Sequence, residues 1–211
     1  MAKAILIAGY GEQEDPDRFF KRINKLYCYL NREAGLGLGN IFFIDAAPLS
    51  SGTFEDTIDT MFRRAGGLND SGPLLLYYCG HGLEGAWCHS QSRASLPYTR
   101  LRKILEPYSG QLLIVNDCCH SLSILAYLNP LKIAQKHWGL ISACASNQEQ
   151  NSDLPDLFIR CWRARLPCKV LANVRNVGPD GTKGRFHDQQ IVRRGAELDH
   201  LFYPNRPTPK S

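Results

Sequence analysis

The chain has 211 residues, 44% hydrophobic and 21% charged, a balance that suits one globular domain with a sizeable buried core. Its net charge of +5 is spread along the sequence in short clusters such as Arg63-Arg64 and Arg193-Arg194, with no basic run interleaved with aromatics, so no nucleic-acid track is expected. No apolar run approaches the roughly 20 residues of a membrane span, and Met1 to Gly9 lacks the long apolar core and cleavage site of a signal peptide, so a soluble cytoplasmic protein with no membrane contact is expected.

Ala4-Ile5-Leu6-Ile7-Ala8 is a short apolar run closed by Gly9 and reads as a buried strand. Phe19, Phe20, Ile23, Leu26, Tyr27 and Leu30 then recur at helical spacing, with Asp15-Pro16 as the start signal and the glycines of 35–39 as the stop. Those glycines lead into a second strand, Ile41 to Ile44, and not into a helix, which argues against a dinucleotide loop. Thr53 with Asp56 resembles a capping box for a second helix marked by Phe54, Ile58, Met61 and Phe62.

Leu74 to Tyr78 is the third strand. After a connection containing glycine and serine, Leu101, Ile104 and Leu105 mark a helix and Leu112 to Val115 a fourth strand. Ile124 to Leu128 reads as part of a helix, Trp138 to Ala143 as a fifth strand, Leu157 to Ala164 as a helix and Val170 to Val174 as a sixth strand. Gly178 to Gly184 is a turn-rich loop without the order of a P-loop. Strands that alternate with helices and are apolar throughout predict an α/β three-layer sandwich: about six mostly parallel strands with helices on both faces. The domain is expected over residues 1–203, with 204–211 a frayed tail.

Without an export signal the eight cysteines are expected to be mostly free thiols, with Cys28, Cys144, Cys161 and Cys168 filling core space. No C-x-x-C pair suggests a zinc site, and the sequence indicates no cofactor.

In an open parallel sheet, ligands bind beyond the carboxyl ends of the strands. The third strand runs into Cys79-Gly80-His81-Gly82 and the fourth into Asp117-Cys118-Cys119-His120-Ser121. If the two strands are neighbours, a histidine and a cysteine pair emerge together. A cysteine attacks a carbonyl as its thiolate, and a nearby imidazole favours that ionisation and later protonates the leaving amine. Gly80 and Gly82 would let the backbone turn and a substrate approach, and the amides of Gly82 and Cys119 are candidate donors to an oxyanion.

Tyr77-Tyr78-Cys79-Gly80-His81-Gly82 resembles the Tyr-Ser-Gly-His-Gly signature of caspases and metacaspases, and Asp117-Cys118-Cys119-His120-Ser121 is similar to the metacaspase form Asp-(Ser or Cys)-Cys-His-Ser-Gly. The order of elements follows the family across nearly the whole chain. The resemblance implies a cysteine endopeptidase with His81 as base and Cys119 as nucleophile, and Cys118 packing inward. Leu122 and Cys79 depart from the motif, which has glycine and serine there.

Metacaspases carry an acidic residue two positions before the nucleophile and cut after arginine or lysine, so the resemblance implies that Asp117 receives a basic substrate side chain beside Cys79. The alternative for Asp117 is a helix cap. The family's second pocket acid sits in a Gly-Cys-x-Asn-Asp motif absent here; Asp15 is the nearest candidate, with Glu12, Glu14 and Asp17 equally well placed. Between the nucleophile and the next strand, Lys132 and Lys136 are the only basic sites, leaving little room for a processed linker. A protein that works as one chain without a prodomain is expected, acting on a protein or peptide substrate with a basic residue before the cut bond. Activation by a partner, a calcium requirement and control by substrate supply all stay open. The competing readings are a catalytically silent binding scaffold and a redox sensor using Cys118-Cys119, the latter opposed by the strained geometry of a disulfide between adjacent residues.

Overall fold

In the computed structural model, the residues described are 1–10, 16–66, 72–89, 95–128, 138–143, 154–165, 192–195 and 198–204. Five apolar runs form parallel strands: β1 (Lys3–Gly9), β2 (Ile41–Asp45), β3 (Leu74–Leu83), β6 (Leu112–Asp117) and β7 (Gly139–Ser142). Two short strands, β4 (Ala86–Cys88) and β5 (Ser95–Pro97), make a hairpin against the end of β3, and β8 (Val192–Gly195) adds antiparallel to β7. The order across the sheet is β2-β1-β3-β6-β7-β8. The sixth strand expected at Val170 to Val174 lies outside the described residues, as does the Gly178 to Gly184 loop.

The helices are α1 (Pro16–Arg32), α2 (Ser51–Gly66), α3 (Tyr98–Leu105), α4 (Leu125–Leu128) and α5 (Leu154–Arg163). Strand side chains alternate between faces, and both faces are covered. Ala4, Leu6, Leu75, Tyr77, Leu113 and Val115 pack against α1 and α5, while Ile5, Ile7, Leu76, Tyr78, Leu112 and Ile114 pack against α2, α3 and α4. Burying each such leucine, isoleucine or valine side chain contributes about 1.5–3 kcal/mol, which is why the strands read as continuous apolar runs.

Two helix ends show how local sequence sets the frame. Gly35 takes φ 71° and the Leu36 amide reaches the Leu30 carbonyl at 3.0 Å, a left-handed stop that ends α1 where the glycine-rich stretch predicts. At α2 the expected cap moves by one turn: the Ser50 hydroxyl accepts from the Thr53 amide at 3.2 Å, so Ser50 and not Thr53 caps the helix. Ile124 to Leu128 is split into a 3-10 turn, Ser121–Ile124, and the short α4. Cys161 is buried as expected, but Cys28 is half-exposed on α1; Cys144 and Cys168 lie outside the described residues. Among the described residues no helix is long and apolar enough to cross a membrane.

Candidate active site

β3 and β6 are hydrogen-bonded neighbours, in register from Leu74 opposite Leu112 to Cys79 opposite Asp117. His81 and Cys119 each stand two residues past that last pair, so the topology brings both motifs to the carboxyl edge of the sheet. Both side chains are half-buried and therefore reachable. Contact between the two segments is close. A Cβ on Gly82 would collide with the Cys119 carbonyl oxygen and lie 2.7 Å from the Cys118 Sγ, so only glycine allows the histidine segment to lie against the cysteine turn.

The cysteine turn is fixed from below by Asn116. Its Oδ1 accepts from the Trp87 indole at 2.6 Å and from the Cys118 thiol at 3.3 Å, while its Nδ2 donates to the Ser121 carbonyl at 2.8 Å and the Tyr98 hydroxyl at 3.1 Å. Cys118 is fully buried and points inward, leaving Cys119 as the accessible thiol of the pair. Directly after it, His120 sits in the left-handed region at φ 53°, the sharp reversal that ends β6 and starts the 3-10 turn. Such a conformation costs a non-glycine residue roughly 1–3 kcal/mol and persists where neighbours enforce it; the bond from Asn116 to Ser121 is one such constraint.

The histidine segment is fixed by Tyr78, whose hydroxyl lies 2.8 Å from the His81 carbonyl and 3.1 Å from the Cys88 carbonyl. Its ring stacks on Trp87, with centroids 4.3 Å apart, and burial pushes its pKa well above the usual tyrosine value, so it stays a neutral donor. The same hydroxyl lies where a Cβ on Gly80 would fall, 2.7 Å away, and Gly80 also presses on the backbone of Gly9. Phe19 of α1 meets the His81 ring edge-on at 5.8 Å and supplies an apolar wall.

Asp117 and Cys79 are fully buried. The Tyr77 hydroxyl donates to Asp117 Oδ2 at 2.5 Å. Burial, reinforced by the Asp117 charge, raises the Cys79 thiol well above its usual pKa and keeps it protonated. Asp15, Glu12 and Glu14 lie outside the described residues, and so do Lys132 and Lys136. Among the described residues, no group of three or more His, Cys, Asp or Glu side chains gathers as a metal site would.

No protein-family model and no curated protein matches the chain. Among solved structures, pro-sf-caspase-1 aligns over 92% of this chain and 90% of its own length at 10% identity, with a TM-score of 0.52. The fold is caspase-like. Iotapain, a secreted C11 cysteine protease from Bacteroides thetaiotaomicron, aligns over 76% of this chain and 56% of its own length at 10% identity and a TM-score of 0.48. Within the caspase-like fold, His81, Gly82 and Cys119 stand at one edge of the sheet, the placement expected from their motifs, whereas the parts played there by Asn116, Tyr78 and Phe19 were not expected from the sequence. Asn116 carried a readable signal, being an amide inside an otherwise apolar strand.

Proposed function

We propose that the chain is a caspase-like cysteine endopeptidase in which Cys119 attacks the scissile carbonyl and His81 carries the proton. The observation that bears most weight is the packing of Gly82 against the Cys119 carbonyl, which joins the two motifs at the carboxyl edge of neighbouring parallel strands. In this reading the Cys119 thiolate adds to the carbonyl carbon, the oxyanion is met by the amides of Gly82 and Cys119, and His81 protonates the departing amine. Water then hydrolyses the thioester with His81 as base, returning the free thiol.

The substrate class follows from Asp117. A carboxylate at the end of the nucleophile's own strand, two residues before Cys119, pairs best with a guanidinium, so the bond cut follows arginine or lysine in a protein or peptide. Asp15 is the second acid by resemblance alone. No cofactor enters the chemistry; calcium or an activating partner acts, where needed, on the shape of the site.

The test is hydrolysis of fluorogenic peptides ending in arginine, lysine or aspartate, with and without calcium, by the wild type, Cys119→Ala and His81→Ala. Cleavage after arginine or lysine that both substitutions abolish supports the proposal. Preference for aspartate overturns the role of Asp117, and cleavage undiminished in Cys119→Ala overturns the nucleophile. No cleavage under any condition favours the scaffold reading.

A further inference from the structure

The carboxylate assigned to a basic substrate side chain already has a basic neighbour within the chain. Arg22, from α1, is only 8% exposed, an unusual depth for an arginine. α1 covers the face of the sheet that carries Tyr77 and Cys79, and Cys79 is the register partner of Asp117 across the β3–β6 ladder, so the Arg22 guanidinium, the thiol and the carboxylate form one buried cluster. A buried carboxylate needs a compensating charge or a full set of donors. Tyr77 supplies one donor at 2.5 Å, and Arg22 brings a positive charge one thiol away.

We infer that Arg22 occupies the Asp117 subsite in the resting chain and that a substrate arginine binds only by displacing it. The inference rests on the reading of Asp117 as receptor for a basic side chain. One carboxylate with an oxygen held by Tyr77 cannot also pair fully with two guanidinium groups, which repel each other at that range. Arg22 therefore raises the concentration of arginine substrate needed for turnover. Phe19, which walls His81, lies one helical turn before Arg22 on the same side of α1, so withdrawal of Arg22 also shifts the wall of the dyad.

Two readouts separate this inference from the protease reading. The first needs no catalysis: thermal melting of the full chain as Cys119→Ala, alone, with Arg22→Gln, and with Arg22→Gln plus Asp117→Asn, each titrated with agmatine as a free guanidinium. Arg22→Gln is expected to melt lower than its parent and to be restored by agmatine, while the parent needs about tenfold more agmatine for the same shift and the Asp117→Asn combination does not respond. Should Arg22→Gln fold only when agmatine is present, the rescue is the same result in stronger form. No response in Arg22→Gln, or an equal response in the parent, overturns the inference.

The second readout is peptide hydrolysis with Cys119 intact. If Arg22 leaves the subsite about one-tenth of the time, Arg22→Gln lowers KM for an arginine-ended peptide about tenfold, with little change in kcat. A KM that Arg22→Gln leaves unchanged, in a chain that does cut after arginine, overturns the inference and keeps the protease. Agmatine rescue in a chain that hydrolyses nothing overturns the protease and keeps Arg22 as the occupant of Asp117.

Discussion

Replacing Asn116 with leucine, a side chain of the same branched four-atom shape though bulkier, removes four hydrogen bonds at once and leaves no cavity. The Trp87 indole loses the partner held at 2.6 Å and becomes a buried unsatisfied donor, at a cost of about 1–3 kcal/mol. The Ser121 carbonyl keeps the Ser142 hydroxyl at 3.3 Å, so its loss is closer to about 1 kcal/mol. Together these give about 2–4 kcal/mol, or a melting temperature lower by roughly 5–15 °C at this chain length. Because Ser121 anchors the turn that carries Cys119, kcat should fall by about ten- to a hundredfold while KM moves little. Urea and thermal denaturation read the first quantity, and steady-state peptide hydrolysis the second. A melting shift under about 2 °C would refute the hydrogen-bond accounting, and a destabilised protein with unchanged kcat would refute the positioning role.

Tyr78→Phe keeps the ring on Trp87 but frees the His81 carbonyl; about 1 kcal/mol of stability and a severalfold loss of kcat are expected, read by denaturation and kinetics. Gly82→Ala forces the backbone apart from Cys119 and should lower kcat/KM on the order of a hundredfold, against no effect if the two segments do not act together. His89 gives a pH prediction. Its Nδ1 meets the Ala46 carbonyl at 2.8 Å and so carries the proton, while Nε2 is buried without a partner. Burial lowers its pKa, outweighing the Ala46 bond that favours the cation. The unfolded chain then binds the proton more readily, so this contribution to stability is full above the unfolded value near 6.5 and is lost as pH falls below it, until the lowered folded pKa is passed. Urea titrations at pH 7.5 and pH 5.5 should show a smaller acid loss in His89→Phe than in wild type; equal losses would refute the assignment.

The parallel core was legible because each strand is an unbroken apolar run buried on both faces, and the edge that holds the site follows from where those runs end. Legibility failed where structure depends on single contacts. Ala86–Cys88 and Ser95–Pro97 are three residues each, too short for any period, and they pair because Trp87 finds Tyr78 and Asn116 beneath it. The α2 cap lies at Ser50 because two hydroxyls three residues apart offer the same pattern and only the fold chooses between them. At the site, the motifs gave His81 and Cys119 their places, yet the network beneath them was invisible. Tyr78 reads as one more strand aromatic, and Arg22 as one more charge on an amphipathic helix.

The central claim is that Cys119 is a nucleophile made reactive by His81. Its most direct test is the covalent adduct formed with an arginine-ended peptidyl acyloxymethyl ketone, mapped by mass spectrometry. One adduct per chain is expected, on Cys119, formed far more slowly in His81→Ala. An adduct on Cys88 or Cys28 instead, or labelling of Cys119 at an unchanged rate without His81, would contradict it.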